Sequence, residues 1–94
     1  MKKVLDKKDI SIDKKYILKR DRYFILMYYE DNHIYRSQMF SIGTDLSNLF
    51  KYAYKIDYRK WEKSLALGFL RQDLYEIESF SEVQSVVIMQ ELIG

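Results

Sequence analysis

The feature that most limits the fold is the segment 23–29, in which seven consecutive residues are aromatic or aliphatic. Aromatic and β-branched residues favour strands, and the segment has the length of one. A shorter apolar segment, residues 16–18, precedes it, and the charged residues 20–22 between them are typical of a turn. We therefore expect two strands joined by a short turn.

A third strand is predicted after a hairpin loop at Asp31 and Asn32, because both residue types tolerate the positive φ angles that a two-residue loop requires. One face of this hairpin would pair Glu30 with His33, Tyr28 with Tyr35, Leu26 with Ser37 and Phe24 with Met39. The other face would pair Tyr29 with Ile34, Met27 with Arg36, Ile25 with Gln38 and Tyr23 with Phe40. The first face is interpreted as the core face. The second is still so apolar that a helix or another molecule should cover it.

Helical periodicity begins after the hairpin. The apolar residues that recur at the spacing of one helix face are Leu46, Leu49, Phe50, Ala53 and Ile56. They predict a helix over residues 45–56 with Thr44 as its N-cap. Residues 58–67 are also compatible with a helix, either a second one capped by Asp57 or a continuation of the first, and Gly68 is expected to end it.

The remaining segments give weaker patterns. Residues 74–78 alternate and predict one more strand. A last helix is predicted over residues 82–92, where the spacing of Ser81 and Gln84 is that of a capping box. A strand over residues 85–89 is the competing interpretation, because β-branched residues are frequent there.

These elements predict one α+β domain over residues 1–94, a length that suffices for one domain and is short for two. We expect a small antiparallel sheet of three to four strands, with its hairpin near residues 23–40, packed against two or three helices. Residues 1–12 are rich in lysine and lack a clear period. They predict either a loose basic arm or a short helix.

Composition excludes several classes of protein. The chain has no cysteine, so disulfides and thiolate metal sites are absent. The longest uncharged stretches, residues 37–44 and 83–90, have eight residues each, against about eighteen for a membrane-spanning helix. A charge at Asp6 interrupts the start before the apolar stretch of a signal peptide can form. We therefore expect a cytoplasmic protein without a membrane partner.

No pattern of residues predicts catalysis. The single histidine, His33, falls at the predicted hairpin tip, which is an exposed place for a catalytic base. The sequence contains neither a glycine-rich phosphate loop nor a nucleophile motif. Asp6, Asp9 and Asp13 would share a helix face, but the lysines around them would repel a metal ion. We predict no catalytic residue, no cofactor and no metal.

One cluster combines basic and aromatic side chains. Its basic residues are spaced four apart and would form a ridge on one continuous helix, with aromatic residues beside it. The residues predicted to bind a partner are Lys51, Lys55, Tyr58, Arg59, Trp61 and Lys63, together with the basic N-terminal segment. Such residues can hold phosphates and stack on unpaired bases, and they are frequent at the centres of protein interfaces. In the alternative interpretation, the rings belong to the core and the lysines to a solvated face.

A short chain rich in lysine, isoleucine and tyrosine, without proline or cysteine, resembles in general character the small accessory proteins of phages and mobile elements of low-GC bacteria. Anti-CRISPR proteins are among them. The resemblance implies a protein that occupies a surface of a larger host complex. We expect an inhibitor or regulator that binds a larger host protein or nucleoprotein complex. A nucleic-acid-binding protein is the first alternative, and a self-assembling subunit, such as a homodimer, is the second.

Overall fold

The structure is a computed structural model that describes residues 1–41 and 44–83. An antiparallel sheet of six strands dominates the described part. Its strands are β1 (Lys2–Lys3), β2 (Lys15–Arg20), β3 (Tyr23–Glu30), β4 (His33–Arg36), β5 (Tyr54–Ile56) and β6 (Leu74–Ile77). Two α-helices, α1 (Leu46–Lys51) and α2 (Tyr58–Leu70), and two 3₁₀ turns, Lys7–Asp9 and Phe80–Glu82, complete it. The α+β class is confirmed, and the prediction of three to four strands is too low.

The strand order is β1-β6-β2-β3-β4-β5, and every neighbouring pair is antiparallel. Strands β2 to β5 follow one another across the sheet, and α2 then returns the chain to β6 beside β2. Residues 2–3 form an edge strand, and Val4 N donates to Leu74 O at 3.0 Å. The N-terminal segment is therefore part of the sheet and not a loose arm, and its only helical turn in the described structure is Lys7–Asp9.

The hairpin loop is the one predicted. Asp31 and Asn32 both have positive φ, 49° and 63°, as a type I′ loop requires. The confirmed pairs are Met27 with Arg36, Tyr28 with Tyr35, Tyr29 with Ile34 and Glu30 with His33. Strand β6 also confirms the strand predicted over residues 74–78.

The predicted register fails beyond Ser37, where a bulge interrupts the pairing. Ser37 N donates to Leu26 O at 2.9 Å, and Leu26 N donates to the Ser37 Oγ, also at 2.9 Å. The hydroxyl thus replaces a backbone carbonyl in the ladder, and the extra residue shifts the register by one. Phe24 consequently pairs with Phe40. The predicted pairs of Phe24 with Met39 and of Tyr23 with Phe40 are wrong.

Both faces of the sheet are buried. On one face, Trp61 and Leu65 of α2 pack against a cluster that includes Tyr16, Leu18, Ile25, Met27, Ile34 and Leu74. On the other face, Leu49 of α1 and Val83 pack with Ile17, Phe24, Leu26, Tyr28, Phe40 and Ile77. The second hairpin face, which was expected to be covered by a helix or another molecule, is therefore covered by α2. Burial on two sides explains why residues 24–28 are apolar without alternation.

Helix α1 begins one residue later than predicted, because Asp45 and not Thr44 is its N-cap. The Asp45 carboxylate accepts hydrogen bonds from the backbone N of Ser47 at 2.9 Å and from its hydroxyl at 2.7 Å. These hydrogen bonds, the one from the hydroxyl first, lower the pKa of Asp45. The side chain therefore satisfies a free N–H of the first turn while it is ionised.

The same helix ends at Lys51, and the predicted extension to Ile56 is wrong. Residues 54–56 form β5, in which Ile56 pairs with Ile34 and Lys55 with Tyr35. Ala53 and Ile56 fit the apolar spacing of the predicted helix because both pack against the core. Ile56, however, packs on the sheet face opposite α1. Pairing with β4 overrides the helical period.

Asp57 caps a second helix, since its carboxylate accepts from Lys60 N at 2.8 Å. Gly68 lies within this helix and does not end it. A Cβ at Gly68 would collide with the Cδ2 atom of Leu18, so the glycine permits close contact between α2 and β2. The chain turns at Gln72, whose φ is 60°, and Asp73 N donates to Gly68 O at 2.8 Å. Beyond Val83, the helix predicted to residue 92 and the competing strand lie outside the described residues.

Candidate docking surface

The six residues predicted to bind a partner lie on three different elements. Lys51 ends α1 and Lys55 lies at the centre of β5, whereas Tyr58, Arg59, Trp61 and Lys63 belong to α2. The two helices pack against opposite faces of the sheet. A continuous basic ridge with a spacing of four is therefore wrong. In the order of the chain, the edge strand β5 comes between α1 and α2.

The two predicted aromatic residues of α2 have different environments, although their ring centroids are 5.3 Å apart. Trp61 is 3% exposed and belongs to the core cluster under α2. Tyr58, in contrast, is 57% exposed. The alternative interpretation, in which the rings belong to the core, is therefore correct for Trp61. Tyr58, in contrast, can contact a partner without any change in the fold.

The structure places three exposed tyrosines at or beside β5. Tyr52, Tyr54 and Tyr58 are 54%, 43% and 57% exposed. We call the tyrosine edge the surface formed by Lys51, Tyr52, Tyr54, Lys55, Tyr58 and Arg59. In the described part of the chain, β5 pairs only with β4, so its outer side faces no other strand.

Two of these tyrosines are held by cations. The Arg36 guanidinium lies 5.6 Å from the centroid of the Tyr54 ring and donates a hydrogen bond to its hydroxyl. Lys51 Nζ lies 5.5 Å from the centroid of the Tyr52 ring. Attraction between a cation and a ring face favours these positions. Tyr52 and Tyr54 are thus partly ordered before any partner arrives.

The charge of this region is positive. Residues 51–63 contain five Lys or Arg and two Asp or Glu, a net charge of +3. Asp57 is engaged as the N-cap of α2. None of the three ion pairs within residues 1–41 and 44–83 involves Lys51, Lys55 or Arg59. These cations remain available to an acidic partner.

The N-terminal segment meets α2 beside Tyr58. A cavity of about 280 Å³ lies between them. It is lined by Lys7, Ile10 and Ile12 from the segment and by Tyr58, Trp61, Glu62, Leu65 and Ala66 from α2. The apolar walls suit an aliphatic or aromatic group.

The sequence prediction did not include Arg36 or Tyr52, and the Trp61 ring that it did include is buried. Arg36 contacts Tyr54, which is eighteen residues later in the sequence, only because β4 pairs with β5. No local signal reports that contact. The apolar sheet face at Ile25 and Met27, the other docking surface that the hairpin pattern suggests, is buried under α2.

Other features of the described residues offer little chemistry. His33 is exposed at the hairpin tip, where the sequence predicted it. In residues 1–41 and 44–83, no group of three histidine or acidic side chains could hold a metal ion. None of the helices described is long and apolar enough to cross a membrane.

Comparison with known proteins gives no relative: no family model matches the chain, and neither a curated protein nor a solved structure matches it.

Proposed function

We propose that this chain is a non-catalytic binding protein that docks on a larger host protein or nucleoprotein complex through the tyrosine edge. It would act as an inhibitor or regulator of the kind that phages and mobile elements encode, as anti-CRISPR proteins do. The observation that carries the proposal is the presence at one sheet edge of three exposed tyrosines beside cations that form no ion pair with the residues that the structure describes. Tyrosine and arginine are enriched among residues that dominate binding energy.

The edge strand gives the partner a backbone to pair with. The outer N–H and C=O groups of an edge strand can accept an extended segment as an additional strand. Tyr54 on β5 and Tyr58 at the start of α2 would flank such a segment. Because Arg36 already holds Tyr54, less side-chain entropy is lost on binding.

Charge complementarity favours an acidic partner surface. The net charge of +3 over residues 51–63 would accelerate association with it. The cavity beside Tyr58 and Trp61 could accept one apolar side chain from the same partner. A docked segment would then combine backbone pairing, an apolar anchor and acidic flanks.

Nucleic acid is the alternative partner, favoured by the same rings and cations. Bases can stack on exposed tyrosines, and Lys55 and Arg59 can neutralise phosphates. Binding through phosphates weakens steeply as salt rises, whereas an interface anchored on rings and backbone pairing weakens less. Salt dependence therefore separates the two classes of partner.

The test compares capture of host proteins by three forms of the chain. The first is the natural sequence and the second carries Lys55→Glu and Arg59→Glu. The third is a matched control with Arg22→Glu and Arg71→Glu, two exposed positions outside both β5 and the basic N-terminal segment. Each form is incubated with host extract with and without nuclease treatment, and bound proteins are quantified by mass spectrometry.

A host protein retained by the natural chain and the control, but lost from the Lys55 and Arg59 variant, is the expected result. Exposed charges contribute little to stability, so all three forms should have nearly the same melting temperature. Equal retention by the edge variant would refute docking through this surface. Loss of all retention after nuclease treatment would favour the nucleic-acid alternative.

A further inference from the structure

The sheet face that packs against α1 carries a second cavity, which borders the tyrosine edge where Tyr35 pairs with Lys55. Its volume is about 450 Å³. We call the aromatic pocket the site formed by its lining residues: Tyr28, Glu30, Tyr35, Phe50, Ala53 and Phe80. Four of these six residues are aromatic, and Glu30 is the one that carries a charge.

The four rings fix one another. Tyr28 and Tyr35 stack with centroids 5.3 Å apart, and Phe50 meets Phe80 edge to face at 4.8 Å. Tyr28 also contacts Phe50 at 5.8 Å and Phe80 at 5.1 Å, both edge to face. Residues from β3, β4, α1 and the turn Phe80–Glu82 thus form one rigid aromatic wall.

The wall contains a buried polar group. Tyr28 is 4% exposed. Among residues 1–41 and 44–83, no side-chain hydrogen bond involves its hydroxyl. Buried hydroxyls normally have a partner. Burial, followed by the nearby charge of Glu30, raises the pKa of Tyr28, so the phenol stays neutral near pH 7.

A cation already occupies one ring face at this site. Lys15 Nζ lies 5.2 Å from the centroid of the Phe80 ring. The negative face of an aromatic ring attracts ammonium groups, and sets of such rings recognise alkylated ammonium ligands. Glu30 adds a full negative charge on the lining of the pocket.

We propose that the aromatic pocket binds an alkylated ammonium group, such as the trimethylammonium head of choline. The rings contact the methyl groups that share the positive charge, and the Glu30 carboxylate balances it. The Tyr28 hydroxyl would hydrogen-bond a polar atom on the same ligand. The pocket borders the tyrosine edge, but this proposal does not rest on the function proposed for that surface.

Choline and its neutral isostere 3,3-dimethyl-1-butanol provide matched probes, since they differ in charge and hardly in shape. Each is titrated into the full chain while the ring protons of Tyr35 and Phe50 are followed by NMR. Choline should give saturable shifts at both rings and bind at least about fivefold more tightly than the isostere. Equal affinities, or no shift with choline, would overturn the proposal.

Two variants and a control test the electrostatics. Glu30→Gln should weaken choline binding about fivefold and leave the isostere unchanged, because only the charge is removed. Lys15→Met should tighten choline binding, since a like charge near Phe80 is lost. Glu62→Gln, on α2 at the other face, is the matched control and should bind as the natural chain does. A Glu30→Gln chain that binds choline normally, or a Lys15→Met chain that binds it more weakly, contradicts the assignment.

Discussion

Replacement of Trp61 by alanine should destabilise the domain strongly, whereas the same change at Tyr58, three residues earlier on α2, should not. Trp61 is 3% exposed and packs on the sheet. A buried tryptophan removes about 150–250 Å² from water, which at about 25 cal/mol per Å² corresponds to roughly 4–6 kcal/mol. Core truncations of this size cost about 3–5 kcal/mol, a large part of the roughly 5–15 kcal/mol that stabilises a domain.

Thermal unfolding followed by circular dichroism measures the difference. A loss of about 3 kcal/mol corresponds to a fall of roughly 12–24 °C in melting temperature for a chain of this length. Tyr58→Ala, at a 57% exposed position, should change stability by only about 0.5 kcal/mol. If Trp61→Ala melted within about 5 °C of the natural chain, or if Tyr58→Ala lost as much as Trp61→Ala, the division of α2 into core and surface would be refuted.

Four further predictions concern the stability of the sheet and of its two helices. Gly68→Ala should lower the melting temperature despite the higher helix propensity of alanine, because its methyl group collides with the buried Leu18; a higher melting temperature would contradict that contact. Exchange of residues 31–32 for Asn-Gly should preserve or raise stability in denaturant titration, because both positions have positive φ, and a loss above about 1 kcal/mol would contradict the loop type. Ser37→Ala should cost about 1–3 kcal/mol in the same titration, since it leaves a buried backbone N–H without its acceptor; an unchanged midpoint would contradict the bulge. Asp45→Ala should lower the melting temperature at pH 7. Because hydrogen bonds lower the pKa of Asp45 below 3.8 in the folded chain, its stabilisation is present above that pH and lost as the pH falls through the folded pKa, so the two proteins should converge in acid.

The sequence predicted those parts of the fold that depend on neighbouring residues. The hairpin loop at residues 31–32 and the pairs near it follow from local φ preferences and side-chain alternation. Asp57 was a recognisable N-cap, and its hydrogen bond to Lys60 N confirms the start of α2. Each of these features lies within a few residues of the signal that predicts it.

The parts that the sequence did not predict depend on distant contacts. Residues 54–56 leave the helical pattern because β4, some twenty residues earlier, offers a ladder to pair with. Ser37 enters the bulge because its hydroxyl can replace a carbonyl, a role that polarity alone does not reveal. The spacing of four from Lys51 to Lys63 therefore predicted a basic ridge on one continuous helix, whereas the structure has an edge strand between two helices.

The exposure of the predicted rings could not be assigned for the same reason. Tyr58 and Trp61 are three residues apart and fit the same helical pattern. Which ring is buried depends on how α2 lies on the sheet and on Ile10 and Ile12, which line the cavity beside it. The sequence pattern identified the region of the candidate site, and tertiary packing decided which of its side chains are accessible.

Site-specific photo-cross-linking tests docking at the tyrosine edge most directly. Benzoylphenylalanine is placed at Tyr54, which is 43% exposed on β5, or at Tyr23, which is 47% exposed at the start of β3. Both forms are irradiated in nuclease-treated host extract, and products are identified by mass spectrometry. We expect a covalent adduct with a host protein from position 54 and none from position 23. Equal adducts from both positions, or none from position 54, would contradict docking through this edge.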